Sequence, residues 1–216
     1  QVMVTGLARF DSLIDNSNNK ATKEILIIPT WREWIIDSRK EFLESKFFKA
    51  YKELLEDKNL HMILEENNLI IKFYPHIEIQ KKYKDDFKSS NKRVQIVNVG
   101  KENIKNLIQN SSLMITDYSS VAFDFNYLKK PVIFFHFDLD DYLSHRGSYI
   151  DLRKDLIGDI ATTKEDVINF IVYYLEKNFV PNPKNIIKSN KYYEFHDRNN
   201  AKRIYDEIKK VSKNNG

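Results

Sequence analysis

The stretch MITDYSSVAFDF, residues 114–125, runs from one kind of pattern directly into another. Met114 and Ile115 are typical of a buried strand, and an amphipathic helical pattern begins at Val121. The small polar residues Ser119 and Ser120 lie at the junction. The start of a helix can hold an anion, because its first N–H groups have no partner within the helix. Serine is also an ordinary helix cap, so both interpretations stay open on these residues alone.

The same alternation extends in both directions from this stretch. Short apolar runs predict five strands: EILIIPT (24–30), NLIIKFYPH (68–76), RVQIVNV (93–99), SLMIT (112–116) and PVIFFHF (131–137). Helical spacing predicts helices over residues 39–57, 102–111, 121–129, 163–178 and 192–211. Strands that alternate with helices favour a parallel sheet covered on both faces. The sequence therefore predicts an α/β, Rossmann-like domain.

Composition excludes several classes of protein. A chain of 216 residues with 42% hydrophobic residues can bury a core, so it is globular rather than disordered. Cysteine is absent, which excludes disulfides and fits a reducing compartment. No apolar run reaches the length of about 18 residues that a membrane-spanning helix needs. The first residue is Gln1 and no basic-then-apolar leader follows, so we expect the chain to be a fragment or a processed product.

Positive charge is concentrated in the last part of the chain. Residues 181–216 carry nine Lys or Arg side chains against four acids, although the net charge of the whole chain is only +4. A solvated helix face is the first interpretation of such a tail, and contact with an anionic membrane surface is the alternative. Nucleic acid is not an expected partner, because no zinc-ligand spacing or ribonucleoprotein motif accompanies the charge.

Polar residues follow four of the predicted strands. They are PTWR after the first strand, YPH after the second, NVGKEN after the third and TDYSS after the fourth. Ligands of doubly wound sheets bind at the carboxyl ends of the strands, where the loops lead into helices. The sequence therefore predicts a binding site at this edge. Its candidate residues include Thr30, Asn98, Val99 and Asp117.

Two side chains near these strand ends suit phosphate or proton chemistry. His76 ends the second strand, and a histidine there can donate to a phosphate oxygen or move a proton, unless it is simply structural. Arg32 offers a planar fork that matches phosphate, and the alternative is a surface arginine beside Trp31.

Two further candidates lie later in the chain. Arg146 and Gly147 belong to SHRGSYID, which we interpret as a loop long enough to fold over a site. Asp124 lies one turn into the helix after the serines, where it can accept from a sugar or glycerol hydroxyl or simply favour the helix start. No cluster of metal ligands stands out, and no cofactor is expected.

The chain resembles one known family. TGLARFD, IPTWR, YPH, ITDYSSVAFDFNYLKKPVIFF, DDYLSHRGSYID and DRNNAKRI occur in the order and context of the CDP-glycerol glycerophosphotransferases, the polymerases and primases of teichoic acids and some capsules. The resemblance covers nearly the whole chain and is to the carboxyl-terminal half of those enzymes. It implies the nucleotide-binding domain of a GT-B fold, in which two Rossmann-like domains face each other across a cleft.

This resemblance also implies a division of the chain. Residues 1–22 would form the connector from a preceding domain, and residues 23–180 the domain that binds the donor nucleotide. Residues 181–216 would form a basic helical segment that packs back toward the missing amino-terminal domain. The resemblance implies a cytoplasmic protein. It is either free in the cytoplasm or peripherally bound at the inner face of the bacterial cell membrane.

The resemblance implies transfer of a polyol phosphate from CDP-glycerol, or a similar CDP-polyol, to a hydroxyl of a growing polymer with release of CMP. Ser119 and Ser120 would hold the donor pyrophosphate, and Arg32 or Arg146 would neutralise the leaving CMP. His76 matches the family's functional histidine in this half. The loop 98–101 would face the cytosine, and the base that deprotonates the acceptor would belong to the preceding domain.

Two other functions remain alternatives at this stage. A GT-B glycosyltransferase or nucleotide-sugar 2-epimerase would use another donor on the same fold. Epimerases tend to carry glycines after the serine at the helix start, where this chain has Ser119, Ser120 and Val121, which argues against them. The second alternative is a module that binds nucleotide, or recruits a partner, without catalysis.

Overall fold

The computed structural model describes residues 2–35, 38–83 and 85–214. Its centre is one sheet in which every strand pairs in parallel with its neighbours. The strands are β1 (Lys23–Ile28), β2 (Leu69–Phe73), β3 (Val94–Ile96), β4 (Leu113–Thr116), β5 (Val132–Phe135) and β6 (Asp159–Ala161). Their spatial order is β3-β2-β1-β4-β5-β6, which is the doubly wound order of a Rossmann fold. The predicted fold class is confirmed.

Helices cover both faces of this sheet. Ten α-helices are described: α1 (Arg39–Glu44), α2 (Lys46–Leu55), α3 (Lys58–Glu66), α4 (Ile77–Tyr83), α5 (Ile104–Asn110), α6 (Val121–Tyr127), α7 (Leu139–Arg146), α8 (Lys164–Glu176), α9 (Pro183–Ser189) and α10 (Asn200–Asn214). Thr163 and Asp166 form a reciprocal capping box at the start of α8.

Several predicted boundaries are wrong for local reasons. The helix predicted over residues 39–57 is two helices, because Ser45 leaves the helical conformation and its side chain caps the N–H of Phe48 in α2. The predicted loop SHRGSYID (144–151) is only partly a loop, because helix α7 continues through Arg146 and the irregular segment begins at Gly147, which has a positive φ of 67°. The last helix begins at Asn200 rather than at residue 192.

Some elements were absent from the prediction altogether. The strand β6 has only three residues, and α3, α4 and α9 are each nine residues or shorter. Such short segments carry little periodicity, so pattern alone does not distinguish them from loops.

The strands alternate their side chains between two apolar layers. Ile25 and Ile27 of β1 face the layer that contains α2, α3 and α8, while Leu26 and Ile28 face the layer that contains α5 and α6. Both layers are buried, which explains why the strand sequences are continuous apolar runs rather than alternating ones. Because the strands are held between these two layers, the residues that follow each strand lie at the carboxyl edge of the sheet.

The two chain ends pack together beside α6. Phe10 is buried and stacks on Tyr127 with ring centroids 4.2 Å apart. Asp11 accepts hydrogen bonds from the backbone N–H groups of Asn200 (3.0 Å) and Ala201, and so satisfies the start of α10. The segment predicted as a connector is therefore anchored to the last helix as well as to the domain.

Candidate functional site

A cavity of about 1190 Å³ lies at the carboxyl ends of the strands. The order of the strands reverses between β1 and β4, and the residues after these two strands line the cavity. The lining residues that follow strands β1 to β4 include Thr30, Trp31, Tyr74, His76, Ile77, Val99, Tyr118, Ser119 and Ser120. Four loops from different parts of the sequence thus meet at one opening.

Most of the predicted site residues come together at this cavity. Those that line it are Thr30, His76, Val99, Ser119, Ser120, Arg146 and Gly147. Arg32, Asn98, Asp117 and Asp124 are not among the lining residues. The reasons differ from residue to residue and follow below.

The ends of β1 and β4 are joined by side chains. The Thr30 N–H donates to Asp117 Oδ1 at 2.8 Å, and the Tyr118 N–H donates to Thr30 Oγ1 at 3.2 Å. Thr116 Oγ1 donates to the Ile28 carbonyl at 2.6 Å. Asp117 is completely buried, so it holds the two loops together instead of facing a ligand. These bonds continue the connection between the strands beyond the last backbone pair.

Arg32 lies inside the protein, where its side chain is only 1% exposed. Its Nη1 lies 2.9 Å from Asp117 and donates to the Thr30 carbonyl at 2.8 Å. Its Nε and Nη2 donate to the two oxygens of Asp138 at 3.2 and 3.1 Å. Every guanidinium nitrogen is thus used by the protein. This placement does not fit the predicted phosphate contact, and it does not fit the alternative of a surface arginine either.

Aromatic rings enclose the same ion pairs. The Arg32 guanidinium lies 4.9 Å from the ring centre of Tyr118 and 5.1 Å from that of Tyr142. The Tyr118 hydroxyl donates to Asp138 at 2.9 Å, and the Tyr51 hydroxyl donates to Asp117 at 3.3 Å. Arg32, Asp117 and Asp138 therefore carry one positive and two negative formal charges with bonds on all sides, which is the condition for burying them.

Burial and charge act in opposite directions on these groups. Burial opposes the charge of Arg32, but the nearby Asp117 and Asp138 outweigh it and raise the pKa of the guanidinium. Burial raises the pKa of the Asp138 carboxyl, although Arg32 works to lower it. Burial also raises the pKa of Tyr118, which keeps its hydroxyl a proton donor to Asp138.

His76 is held in one orientation at the cavity. Its ring stacks on Trp31 with centroids 5.5 Å apart, and its Nδ1 accepts from the Glu78 N–H at 3.3 Å. Burial lowers the pKa of His76, and the negative charge of Glu78 partly opposes this effect. An Nδ1 that accepts is unprotonated, so a neutral ring carries its proton on Nε2. Among the described residues, Nε2 has no hydrogen-bond partner, which leaves it for a ligand.

Ser119 and Ser120 play different parts at the start of α6. Ser119 Oγ accepts from the Val121 N–H at 3.3 Å, so this serine caps the helix. The side chain of Ser120 makes no cap bond and is exposed at the cavity. Because α6 has only seven residues, its dipole contributes little, and local N–H and hydroxyl groups carry any affinity for an anion.

The far wall of the cavity comes from α7 and the loop after it. Arg146 ends α7 with its side chain about half exposed, and its nearest acid is Glu33 at 3.7 Å. It is the one lysine or arginine among the described lining residues. Gly147 has a positive φ of 67°, which turns the chain so that the fully exposed Tyr149 and the half-buried Ile150 also reach the cavity.

The two remaining predicted residues, Asp124 and Asn98, are not part of the cavity lining. The carboxylate of Asp124 forms a salt bridge with Arg9, and the second bond of this pair, from Nη2, measures 3.3 Å. Asp124 therefore ties α6 to the first residues of the chain and does not face a polyol. Asn98 lies beside the cavity, and its carbonyl accepts from the Lys101 N–H at 3.2 Å.

Sequence reasoning missed several residues that shape the site. The ring of Trp31 supports His76, and the ring of Tyr118 stacks on Tyr142 at 3.9 Å to form part of the wall. Asp138 was not predicted, although it is the second carboxylate on Arg32. The signal available in the sequence was its position directly after the HF pair that ends the fifth predicted strand. Polar residues in the same position after the other strands had indicated the site.

The described part of the chain contains neither a metal-binding cluster nor a membrane-spanning helix. In residues 2–35, 38–83 and 85–214 no group of three or more His, Cys, Asp or Glu side chains is arranged to hold a metal ion. Within the same described part of the chain, none of the helices combines the length and apolar character needed to cross a membrane.

The fold and the cavity define a Rossmann-like domain with an open cavity at its switch point. The family model for CDP-glycerol:poly(glycerophosphate) glycerophosphotransferase matches residues 1–210. The chain belongs to this family.

Curated relatives support the same membership. The minor teichoic acid biosynthesis protein GgaB of Bacillus subtilis (strain 168) is 31% identical over 230 residues, which cover 99% of this chain and 24% of GgaB. The teichoic acid glycerol-phosphate primase of the same strain is 30% identical over 73% of this chain and 37% of the primase. The chain therefore spans less than two fifths of the length of either relative.

Solved structures show the same fold. The wall teichoic acid polymerase TagF aligns with a TM-score of 0.69 at 24% identity, over 99% of this chain and 53% of TagF. TagF soaked with CDPG aligns with a TM-score of 0.71 at 23% identity, over the same fractions of the two chains. A UDP-N-acetylglucosamine 2-epimerase from Listeria monocytogenes aligns with a TM-score of 0.52 at 17% identity, over 95% of this chain and 52% of the epimerase.

Replacement of Arg32 tests the buried ion pairs. We expect Arg32→Met to lower the free energy of unfolding by about 3–5 kcal/mol, because it leaves two carboxylates buried without a cation. The loss should shrink as the pH falls from 7 to 5, since an unpaired buried carboxyl has a raised pKa and loses its charge there. Urea unfolding at both pH values measures the difference.

Arg146→Met is the matched control for this experiment, because Arg146 is about half exposed. It should change the free energy of unfolding by no more than about 0.5 kcal/mol. An Arg32→Met protein as stable as the control would contradict the structural role of the buried ion pairs.

Proposed function

We propose that this chain is the donor-binding domain of a polyol-phosphate transferase that builds teichoic acid or capsule polymer and releases CMP. The observation that carries the proposal is the cavity at the switch point, where His76, Ser120 and Arg146 meet with donors free for a ligand. The donor is CDP-glycerol or a similar CDP-polyol. Family membership and the names of the relatives support this chemistry.

The lining of the cavity suggests how the donor lies. The hydroxyl groups of Ser119 and Ser120 and the guanidinium of Arg146 suit the pyrophosphate, which carries the negative charge. Val99, Ile77 and Ile104 form an apolar part of the cavity that suits the cytosine ring. The cavity volume of about 1190 Å³ exceeds the common range of about 300–1,000 Å³ for small-molecule sites, so a nucleotide with its polyol fits.

In the proposed reaction, a hydroxyl oxygen of the acceptor attacks the phosphorus that carries the polyol. The new P–O bond forms as the bond to CMP breaks, and CMP leaves with the electron pair. The Nε2–H of neutral His76 donates to a phosphate oxygen as negative charge develops there. Arg146 lies where it can balance the charge of the leaving CMP. The proton of the attacking hydroxyl passes to a base in the preceding domain.

One binding experiment separates this proposal from two other functions, a GT-B enzyme with another donor and a module without catalysis. The epimerase likeness is a likeness of fold alone, and no residue of this cavity singles out a UDP-sugar. Titration of the chain with CDP-glycerol, CDP-ribitol, UDP-glucose and CMP, followed by thermal shift, separates the candidates. Preference for UDP-glucose would refute the CDP-polyol donor, and no shift with any nucleotide would favour a module that does not bind nucleotide.

The two serines give the first prediction from this proposal. We expect Ser119→Ala combined with Ser120→Ala to weaken CDP-glycerol binding about tenfold, because two hydroxyl donors to the pyrophosphate are lost. The stability of the fold should fall by no more than about 2 kcal/mol, the upper range for loss of a helix cap. Calorimetric titration measures the affinity. Ser144→Ala, an exposed serine outside the cavity lining, is the control. Unchanged affinity in the double variant would remove the serines from the phosphate site.

His76 gives the second prediction. In the full-length enzyme we expect His76→Ala to lower the transfer rate at least about a hundredfold, while the affinity for CDP-glycerol changes by less than about fivefold. The rate should fall more than the affinity because His76 is proposed to act on charge that develops only in the transition state. Steady-state kinetics with CMP release as the signal measures both quantities. Equal losses of rate and affinity would make His76 a binding residue only.

The last helix gives a proposal about the rest of the protein. Tyr205, Ile208 and Val211 form an exposed row on α10, each about 60% exposed, and Arg203 of the same helix donates to the Thr5 carbonyl at 3.0 Å. The first residues of the chain therefore run beside α10 and leave this row exposed. We assign residues 1–22 to the interdomain connector and propose that residues 181–216 pack against the preceding domain of the longer protein.

Ile208→Glu tests this assignment. In the 216-residue chain Ile208 is exposed, so the variant should change the free energy of unfolding by no more than about 0.5 kcal/mol. In the full-length protein the same change should lower the melting temperature by several degrees, because it buries a charge in the interdomain contact. Flotation of the chain with anionic phosphatidylglycerol vesicles, abolished by Ile208→Glu, would instead assign the row to peripheral contact with the membrane.

A further inference from the structure

Gln80 links two loops that line the cavity. It lies on α4 and is only 8% exposed. Its side-chain Nε2 donates to the Pro75 carbonyl at 2.7 Å, and its Oε1 accepts from the Val99 N–H at 2.8 Å. Pro75 directly precedes His76, and Val99 lies in the loop after β3. One buried amide thus joins the histidine loop to the loop that lines the apolar part of the cavity.

Gln80 also fixes the backbone of His76 itself. Its backbone N–H donates to the His76 carbonyl at 3.0 Å, in addition to the side-chain bond to Pro75. The peptide planes on both sides of the His76 Cα are therefore bonded to the same residue. Because each peptide unit is planar, holding these two planes sets φ and ψ of His76. The direction of the imidazole ring then depends on its contacts with Trp31 and Glu78.

A glutamine is well suited to this position. The bridge needs one donor toward a carbonyl and one acceptor toward an N–H, and a side-chain amide supplies both. A carboxylate would place an acceptor against the Pro75 carbonyl, and methionine, of similar length, would leave both backbone groups without a bond. Because Gln80 is buried, water does not readily replace either bond, and the loops would have to move.

The bond to Val99 also changes what this loop can offer to a ligand. The Val99 N–H already donates to Gln80, so it is not free to donate to a nucleobase. Only the carbonyl, an acceptor, remains at this residue. Cytosine presents an exocyclic amine, which is a donor, where uracil presents an acceptor oxygen. An edge that offers an acceptor and no donor opposite this group can bond the cytosine amine but leaves the uracil oxygen without a bond, and so disfavours uracil at that position.

We propose that Gln80 is a positioning residue that holds His76 and Val99 in one fixed relation and, by occupying the Val99 N–H, favours cytosine over uracil. The positioning role concerns the protein alone. The selectivity role rests on the proposed function of the cavity as a nucleotide site.

Amide hydrogen exchange measured by NMR on the 216-residue chain tests the positioning role. Gln80→Met should speed exchange of the Val99 N–H at least about tenfold, because the bond is lost, and should shift the ring resonances of His76. Gln80→Glu keeps an acceptor for Val99 but loses the donor to Pro75. It should therefore leave Val99 protected while still shifting the His76 resonances.

Gln109→Met is the matched control. Gln109 is buried to a similar degree, and among the described residues its side chain has no hydrogen-bond partner. The control should leave both the Val99 amide and the His76 ring as in the wild type. Wild-type exchange at Val99 in Gln80→Met, or the same changes in the control, would overturn the positioning role.

Titration of the same proteins with CMP and UMP tests the selectivity. The ratio of the two dissociation constants should favour CMP in the wild type and in Gln109→Met, and should fall at least about threefold in Gln80→Met. An unchanged ratio, together with faster Val99 exchange, would overturn the selectivity role. A wild-type chain that binds neither nucleotide would refute the proposed function of the cavity, while the exchange measurement would still decide the positioning role.

Discussion

The guanidinium of Arg32 is bonded to the ends of three strands at once: to Thr30 after β1, Asp117 after β4 and Asp138 after β5. A buried charge is costly unless every bond is satisfied, so the three loops cannot shift independently. The chain continues from these three anchored residues into Trp31, Tyr118 and the start of α7, respectively. The shape of the cavity between the strand ends therefore depends on this internal ion-pair cluster.

Polar residues at the carboxyl edge of the sheet divide into two groups. One group, with Arg32 and Asp117, faces inward and holds the loops together. The other group, with His76, Ser120 and Arg146, lines the cavity and keeps donors available. Phosphoryl transfer depends mainly on donors that are already in place when charge develops, and a rigid inner group is how a protein holds them so. This division explains why Arg32, with every guanidinium nitrogen bonded, lies outside the cavity, while Arg146 lines it.

Much of the fold follows from periodicity, since burial on both faces demands continuous apolar strands and the helices between them demand apolar stripes. The strands around Ile25, Ile71 and Ile133 are long and apolar enough to be recognised in this way. The break at Ser45 was not recognised, because one serine interrupts a helical pattern without changing its period. The helix α7 was not recognised, because its mixed residues bury only Tyr142 and so carry little apolar periodicity.

The sequence by itself determined the parallel sheet, the edge at which polar residues gather and the family to which the motifs belong. Parallel strands all deliver their carboxyl ends to one edge, so the residues after each strand are neighbours whatever the details of packing. The tertiary structure alone decided which of those residues face the cavity. Arg32 pairs with Asp138 across 106 positions of sequence, and Asp124 pairs with Arg9 across 115. Whether a charged side chain turns inward or outward depends on the partner that folding brings to it, and no local pattern records that partner.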